Sequence, residues 1–451
     1  MVEATFHFPR EFLWGCATAA HQVEGNNKAN DWWAWEQESG RIAQGHVSGK
    51  ACDWWGGRWA EDFDRAADNG QNAHRLSLEW SRIAPEPDGW NQDALAYYRE
   101  ILQGARDRGL RPMVTLHHFT NPQWFVEMGG WSNPGLVPHF ERYVRKAVTA
   151  LKDLNTEWVT INEPNVYFFM AYMEGVFPPG EKDLGKALQV AVNLLRGHAA
   201  AYHAIHEIQP EAQVGFAHHY RGMDPARPKH GLDRLLVRVR DQAFNHLFPS
   251  AATDGIMRLP WRKIRIPEAA HTQDFFGLNY YTVETVRFSI QNAASLFADA
   301  GYREDDELSA TGFIANRPDG FWRAMQWANS FGLPMYITEH GIEDPGDGLR
   351  RRNLALHLRE AWRAVNYTWP LRGYFHWSLV DNFEWERGWT QRFGLWELDV
   401  ETQERRKRPS VDFYRAICEA NGLSSEHVEK FAPEVHHQLF PADGPGELQT
   451  G

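Results

Sequence analysis

The sequence has few cysteines. Cys16, Cys52 and Cys418 are the only three in 451 residues. They are odd in number and far apart along the chain, so they predict neither a disulfide framework nor a paired metal site. Residues 1–15 contain no basic segment followed by an apolar one, so no secretion signal is expected. Both observations favour a cytoplasmic protein.

The sequence also has no long apolar run and no excess of positive charge. No stretch approaches the ~20 apolar residues of a membrane-spanning helix, so we expect no membrane partner. The 47 basic and 59 acidic residues give a net charge of −12, which disfavours a nucleic-acid partner, because phosphates bind clustered lysine and arginine. The one basic run, at residues 405–408, is expected to be solvated surface.

Tryptophan is abundant, with 21 residues in the chain. Indole faces pack well against the C–H faces of sugar rings, and the indole N–H can donate to a hydroxyl group. About half of these residues are expected simply to fill a large core, which the 43% hydrophobic fraction allows. Composition therefore suggests a sugar ligand without establishing one.

Eight short apolar runs recur along the chain, and each is followed by a stretch with helical spacing of apolar residues. This alternation predicts an α/β fold, a single (β/α)8 TIM barrel with long βα loops. A doubly wound open sheet is the alternative, but its glycine-rich phosphate turn is missing after the first run. The runs are residues 12–20, 73–80, 111–119, 157–165, 213–220, 274–282, 334–341 and 371–382.

The domain organisation is predicted to be simple. Residues 1–423 form the barrel, and residues 424–451 form a C-terminal tail that is not a separate domain, because they are polar and contain several prolines. Residues 283–318 lack periodicity and contain an acidic cluster, so we predict a long surface loop there.

Polar side chains end nearly every predicted strand. The carboxyl ends of barrel strands carry the active sites of such enzymes, so these residues are expected to share one polar rim. They are Gln22 and Glu24, Arg75 and Glu79, His117 and His118, Asn162 and Glu163, Asn279 and Tyr281, Glu339 and His340, and Trp377, Glu384 and Trp385.

Glu163 and Glu339 differ from the other polar residues because each ends an otherwise apolar strand. The fourth and seventh strands lie across a barrel from each other, so the two carboxylates can face one ligand. Carboxylates about 5–5.5 Å apart suit a retaining glycosidase, and ~6.5–9.5 Å suits an inverting one. The alternative is that either residue is only a buried ion-pair partner.

The chain resembles glycoside hydrolase family 1, the β-glucosidase-type family, across residues 8–414. The resemblance rests on six ordered blocks, namely FLWGCATAAHQVEG, HRLSLEWSRI, TINEPN, LNYYT, ITEHGI and FHWSLVDNFEWERGWTQRFGL. It implies a retaining enzyme that removes terminal β-D-glucosyl, and also β-galactosyl or β-fucosyl, residues by double displacement. A transglycosylase using the same site and a non-catalytic sugar-binding protein are the alternatives.

The resemblance also implies roles for individual residues. Glu163 would be the acid/base and Glu339 the nucleophile, with Arg75, Asn279 and Tyr281 beside them. Arg75 and Tyr281 would keep Glu339 ionised, and its charge would raise the pKa of Glu163. The implied substrate-binding residues are Gln22, His117, Asn162, Trp377, Glu384 and Trp385, with Trp124 and Phe393 as further contacts.

The resemblance implies neither a cofactor nor a metal. The expected partners are small β-glycosides or short oligosaccharides, and a homo-oligomer is possible. Relatives acting on 6-phosphorylated sugars have Ser, Lys and Tyr where this chain has Glu384, Gln391 and Phe393, so a neutral sugar is expected. His340 departs from the family pattern, which has Asn after the nucleophile.

Several other polar residues have structural interpretations. Glu24 is interpreted as a hydrogen-bond anchor, and Glu79 is predicted to pair with Arg82 or another basic group. The histidines at positions 118, 218 and 219 lack the spacing of a metal site, so they are expected to support other side chains or to fill the core.

Overall fold

The computed structural model describes residues 4–259, 262–295 and 297–441. Eight parallel strands form a closed barrel at its centre, and each begins within one of the apolar runs. We number them in chain order as β1 (Leu13–Ala17), β2 (Ala73–Ser77), β3 (Arg111–His117), β4 (Glu157–Asn162), β5 (Gln213–Pro225), β6 (Phe276–Phe288), β7 (Met335–His340) and β8 (Leu371–His376).

Closure of the sheet distinguishes the barrel from the open-sheet alternative. Each strand pairs in parallel with the next, and β8 returns to pair with β1 through Gly373 and Leu13. Strands β1, β2 and β4 are buried along their whole length, because side chains fill the barrel inside and helices cover it outside. The predicted (β/α)8 barrel is confirmed.

Helices surround the barrel and occupy the loops. They are Ala20–Val23, Asp31–Glu36, Trp59–Asp68, Trp80–Ile83, Gln92–Asp107, Gln123–Glu127, Val137–Leu151, Pro164–Tyr172, Leu184–Ile208, Gly231–Asp241, Leu247–Asp254, Pro318–Asn329, Gly348–Asn366, Pro409–Ala420, Ser425–Phe431 and His436–Leu439. Among the described residues, no helix combines the length and the apolar character that a transmembrane span requires.

The helix Val137–Leu151 shows how the sequence produces this outer layer. Pro138 lies in its first turn, where a missing N–H costs no helical hydrogen bond. Its buried side chains, which include Phe140, Val144 and Leu151, recur at helical spacing and face the barrel. The Tyr143 hydroxyl donates to the carbonyl of Leu116 at 3.0 Å, which ties the helix to β3.

The described part of residues 283–318, which leaves out residue 296, contains more regular structure than a surface loop. Strand β6 continues to Phe288, and Ala298–Gly301 pairs antiparallel with its end. The prediction failed there because extended strands at a barrel rim have one solvated face and give no continuous apolar run. The remaining short strands are Thr5–His7, Ile256–Leu259, Arg262–Arg265, Trp396–Leu398, Arg405–Lys407 and Gly422–Ser424.

The C-terminal segment lies against the barrel as regular structure. Gly422–Ser424 pairs antiparallel with Thr5–His7, and the Ser424 hydroxyl caps the helix Ser425–Phe431. Phe440 stacks on Phe6 with ring centroids 4.6 Å apart. Residues 442–451 of the predicted tail lie outside the described residues.

The basic run at residues 405–408 is only half solvated, which corrects the sequence interpretation. Arg406 and Lys407 are exposed, but Arg405 and Arg408 are buried. The Arg408 guanidinium donates to both carboxylate oxygens of Asp381 at 2.9 Å, while Arg405 pairs with Asp62. The sequence does not reveal these distant carboxylates, so it could not predict the burial of the two arginines.

Candidate active site

The carboxyl ends of the strands and the loops after them line a cavity that opens to solvent, with a volume of about 840 Å³ when its open mouth is included. Eight residues predicted to act on or bind the substrate line it, and we call them the strand-end group. They are Asn162, Glu163, Tyr281, Glu339, Trp377, Glu384, Trp385 and Phe393.

Glu339 lies near the end of β7 and is 3% exposed. Its Oε1 accepts a hydrogen bond from Arg75 Nη1 at 2.6 Å, and its Oε2 accepts one from the Tyr281 hydroxyl at 2.7 Å. The Arg75 guanidinium also donates to the Thr338 carbonyl at 3.0 Å, so it is fixed against β7. One carboxylate is therefore held by a cation and a phenol.

Glu163 follows β4 directly and is 5% exposed. Its φ of +43° is in the left-handed region, which a non-glycine residue adopts only when its surroundings impose it. Pro164 then begins the next helix. The Glu163 Oε1 atom accepts from Asn279 Nδ2 at 2.8 Å and lies 3.0 Å from His219 Nδ1.

One hydrogen-bond network joins the two carboxyl groups. Asn162 Oδ1 accepts from Arg75 Nη2 at 2.7 Å and from Asn279 Nδ2 at 3.1 Å. Because Arg75 also binds Glu339 and Asn279 also binds Glu163, Asn162 links the two acids through the guanidinium on one side and the amide on the other. This arrangement can present a carboxylate and a carboxylic acid to one ligand.

The electrostatics of the pair differ from the expectation. Burial raises the pKa of Glu339 to about 7, with the Glu163 carboxylate adding to the rise and Arg75 opposing it. Burial also acts to raise the pKa of Glu163, but the charge and hydrogen bond of His219, together with the hydrogen bond of Asn279 and the charge of Arg75, hold that pKa below its usual value. The expected net rise in the pKa of Glu163 is therefore corrected, because the expectation did not include His219 or Asn279.

Trp377, Trp385 and Glu384 form another side of the cavity, after β8. Trp385 has a φ of +46° and stacks against the ring of His21. Gln22 Nε2 donates to the Phe383 carbonyl at 2.8 Å and lies 3.3 Å from Glu384 Oε2. Burial, with the nearby Glu386 carboxylate, raises the pKa of Glu384 to about 8.

The two histidines at the end of β3, His117 and His118, are oriented differently from the prediction, which placed His117 in the substrate site. His118, not His117, lines the cavity, and its Nε2 lies 3.0 Å from Asn162 Nδ2. His117 points the other way and contacts Asn121 Oδ1 at 3.0 Å beside the ring of Trp131. Successive side chains at a strand end point in opposite directions, so a one-residue error reverses the face.

Trp124 is also placed differently from the prediction. It is not among the residues lining this cavity. Its Nε1 donates to the Ala84 carbonyl at 2.8 Å, and its ring packs edge-on against Trp80 and Phe125.

The sequence interpretation missed residues that loops and a helix bring to the cavity. Val166 and Met170 come from the helix Pro164–Tyr172, while Tyr302 and Phe313 come from the segment after β6. We call these four residues the loop wall. The segment after β6 carries no periodic signal, so no sequence pattern marked Tyr302 or Phe313 as cavity residues.

The structure shows the surroundings of His340, which departs from the family pattern, and tests the predicted pairing of Glu79. His340 lies behind the cavity wall, where its Nδ1 is 2.7 Å from the Tyr374 hydroxyl and its ring stacks on Phe321. Arg82 pairs with Glu24 at 2.8 Å, so the predicted Glu79–Arg82 pair is wrong and Glu24 is the anchor. Glu79 instead accepts from Ser81, Asn30 and Thr120.

Known proteins are similar to this chain over nearly its whole length. Residues 4–423 match the family described as Glycosyl hydrolase family 1. The chain is 32% identical to β-glucosidase A of Thermotoga maritima, over 92% of this chain and 98% of that protein. It is 29% identical to a β-galactosidase of Pyrococcus woesei, over 94% and 99% of the two chains. The structure superposes on a β-glycosidase from Pyrococcus horikoshii with a TM-score of 0.88 and 37% identity, covering 95% and 98%.

Proposed function

We propose, from the premise that this chain belongs to glycosyl hydrolase family 1 and is a β-glycosidase, that it removes terminal non-reducing β-D-glucosyl residues with retention of configuration. The observation that carries the proposal is the joint anchoring of Glu163 and Glu339 by Arg75, Asn162 and Asn279 on one cavity. β-Galactosyl and β-fucosyl groups are further candidate substrates.

In the first step, the Glu339 carboxylate attacks the anomeric carbon and the glycosidic C–O bond breaks. Glu163 gives its proton to the departing oxygen, so the leaving group departs as a neutral alcohol. Arg75 and Tyr281 hold the attacking carboxylate at 2.6 and 2.7 Å and restrict its orientation. The product of this step is a covalent glycosyl-enzyme on Glu339.

In the second step, water replaces the sugar on Glu339. The ester has no negative charge, so Glu163 no longer faces a second carboxylate and can act as the base. It takes a proton from water as the oxygen attacks the anomeric carbon and the Glu339 ester bond breaks. Two displacements restore the original β configuration.

The rest of the strand-end group is proposed to bind the sugar. Trp377 offers a flat apolar surface for the ring, and Glu384 with Gln22 offers hydrogen bonds to its outer hydroxyls. Asn162 is proposed to hold the 2-hydroxyl, a contact that strengthens in the transition state. We assign His118 the hydroxyl contact first given to His117, because His118 lines the cavity.

The same proposal covers the size of the substrates, the cellular compartment of the protein and the extent of its catalytic domain. A cavity that opens to solvent and is lined by both acids and by Trp377 and Trp385 suits small β-glycosides and short oligosaccharides. The three free, buried cysteines support a reducing compartment, for which we propose the cytoplasm. Residues 1–423 are proposed as the single catalytic domain.

A panel of nitrophenyl β- and α-glycosides tests the proposal. We expect turnover of the β-glucoside, with NMR showing the β-anomer as the first product. Adding a simple alcohol separates hydrolysis from transglycosylation, because a transglycosylase would release an alkyl glycoside as its main product. An α-anomer as first product, or no turnover of any β-glycoside, would contradict the proposed mechanism.

A further inference from the structure

His219, midway along β5, lies directly beside Glu163. Its Nδ1 is 3.0 Å from Glu163 Oε1, the same oxygen that accepts from Asn279 Nδ2 at 2.8 Å. The His219 residue is only 6% exposed, and its ring lies against the rings of Tyr281 and Phe244. The side chain is thus fixed in contact with a carboxyl group and is largely shielded from water.

The two arginines near this pair already form salt bridges with other carboxylates. Arg75 is bound to Glu339 at 2.6 Å, and Arg221, two residues after His219, is bound to Glu284 at 3.0 Å. His219 is therefore the titratable group in direct hydrogen-bond contact with Glu163. The remaining titratable groups lining the same cavity are His118, Tyr281, Tyr302, Glu384, Glu386 and Arg387.

We propose that His219 is a positioning residue that sets the proton affinity of Glu163. It fixes Oε1 by a hydrogen bond and, when protonated, favours the carboxylate form of Glu163. The inference rests on the proposed acid/base role of Glu163, because only then does this proton affinity control the rate.

The direction of the effect follows from charge. A cation 3.0 Å from a carboxylate stabilises the ionised form, so it lowers the pKa of the acid. This agrees with the lowered pKa of Glu163, whose charged partners are His219 and then Arg75. The first step needs a protonated Glu163, so a positive charge on His219 lowers the fraction of Glu163 that can act as the acid.

The variant H219N separates charge from positioning. An asparagine amide can still donate a hydrogen bond but carries no charge. The ratio of kcat/KM for H219N to that for the wild type, measured against pH on an unactivated β-glucoside, should rise by about tenfold from the acidic limb to near neutral pH. A merely structural loss would lower the rate by one factor at every pH.

A matched control is available in the same chain. His206 pairs with Asp274 at 2.8 Å, and Asp274 lies before β6 at the opposite end of the barrel. The variant H206N removes a histidine–carboxylate pair of similar geometry and should give a ratio that does not change with pH. In an E163A background, H219N should likewise give a flat ratio.

The inference is overturned if the H219N ratio is independent of pH, or if its rise persists in the E163A background. A measurement on the wild-type protein covers the case in which H219N does not fold. The carbon-13 carboxyl resonance that disappears in E163A should titrate below the ordinary range of about 4.3 for glutamate. Titration above that range overturns the inference about His219. This measurement does not depend on hydrolysis, so a failure of the inference can be distinguished from a failure of the proposed function.

Discussion

The strand-end group and the loop wall line the same cavity but are built differently. The strand-end residues are fixed by buried hydrogen bonds, such as those from Arg75 and Tyr281 to Glu339. The loop wall is more apolar and more exposed, and its Phe313 is 37% exposed on a segment outside the barrel. The hydrogen-bonded acids therefore lie on the barrel, whereas the loop wall supplies the more exposed apolar surface of the cavity.

Among the substitutions that compare the strand-end group with the loop wall, replacing Glu339 with glycine should cause the largest loss of activity. The variant cannot form the covalent intermediate, so kcat should fall by ~10⁴-fold or more. Azide should restore turnover by direct attack and give the α-glycosyl azide, identified by NMR. The assignment of Glu339 would be wrong if the variant kept wild-type rates on a disaccharide.

Replacing Glu163 with alanine should have the next largest effect. General acid catalysis contributes roughly 10²- to 10⁴-fold, so kcat/KM should fall by that factor for a poor leaving group such as an alkyl alcohol. Dinitrophenolate needs little protonation to leave, so kcat/KM for a dinitrophenyl glycoside should fall much less than kcat/KM for the alkyl glycoside. Azide rescue should give the β-glycosyl azide, and equal losses for both leaving groups would count against the acid role.

Changing Glu384 to serine should weaken binding of the sugar. Its buried carboxyl group lies beside Gln22, and losing the hydrogen bonds to the sugar should raise KM for a neutral glucoside by roughly 30-fold. The measurement is KM for nitrophenyl β-glucoside at constant pH. A KM equal to that of the wild type would remove Glu384 from the sugar site.

The Tyr281 hydroxyl should favour the attacking form of Glu339. Glu339 must be ionised to attack, and the hydrogen bond from Tyr281 opposes the rise that burial gives to its pKa. The variant Y281F removes this hydrogen bond, so a smaller fraction of Glu339 is ionised and kcat/KM at pH 6 should fall roughly tenfold. A kcat/KM at pH 6 equal to that of the wild type would contradict this role.

The loop wall should show the smallest effect. Replacing Phe313 with alanine removes apolar surface that lines the cavity, so KM for an aryl glucoside should rise by about threefold. The methyl glucoside is the control, because its small aglycone offers little surface to contact, and its kcat/KM should be unchanged. An equal loss on both substrates would place Phe313 in the sugar site.

The fold could be predicted because its signal is local. Buried parallel strands need apolar runs, and the runs at residues 12–20 and 334–341 contain β1 and β7 as expected. The error at His117 also has a local cause. Neighbouring strand residues face opposite sides, and because residues 117 and 118 are both histidine, the sequence does not show which of the two faces the cavity. Residues 283–318 were misinterpreted because a rim strand such as β6 is partly solvated.

Patterns of neighbouring residues were enough to predict the eight-stranded barrel and the delivery of Glu163 and Glu339 to one rim, because strand periodicity and strand ends are local features. The contacts of those two acids arise only in the folded barrel. Arg75 lies 264 residues from Glu339, and His219 lies 56 residues from Glu163. Proton affinity depends on charges a few ångströms away in space, and those neighbours exist only after the barrel has closed.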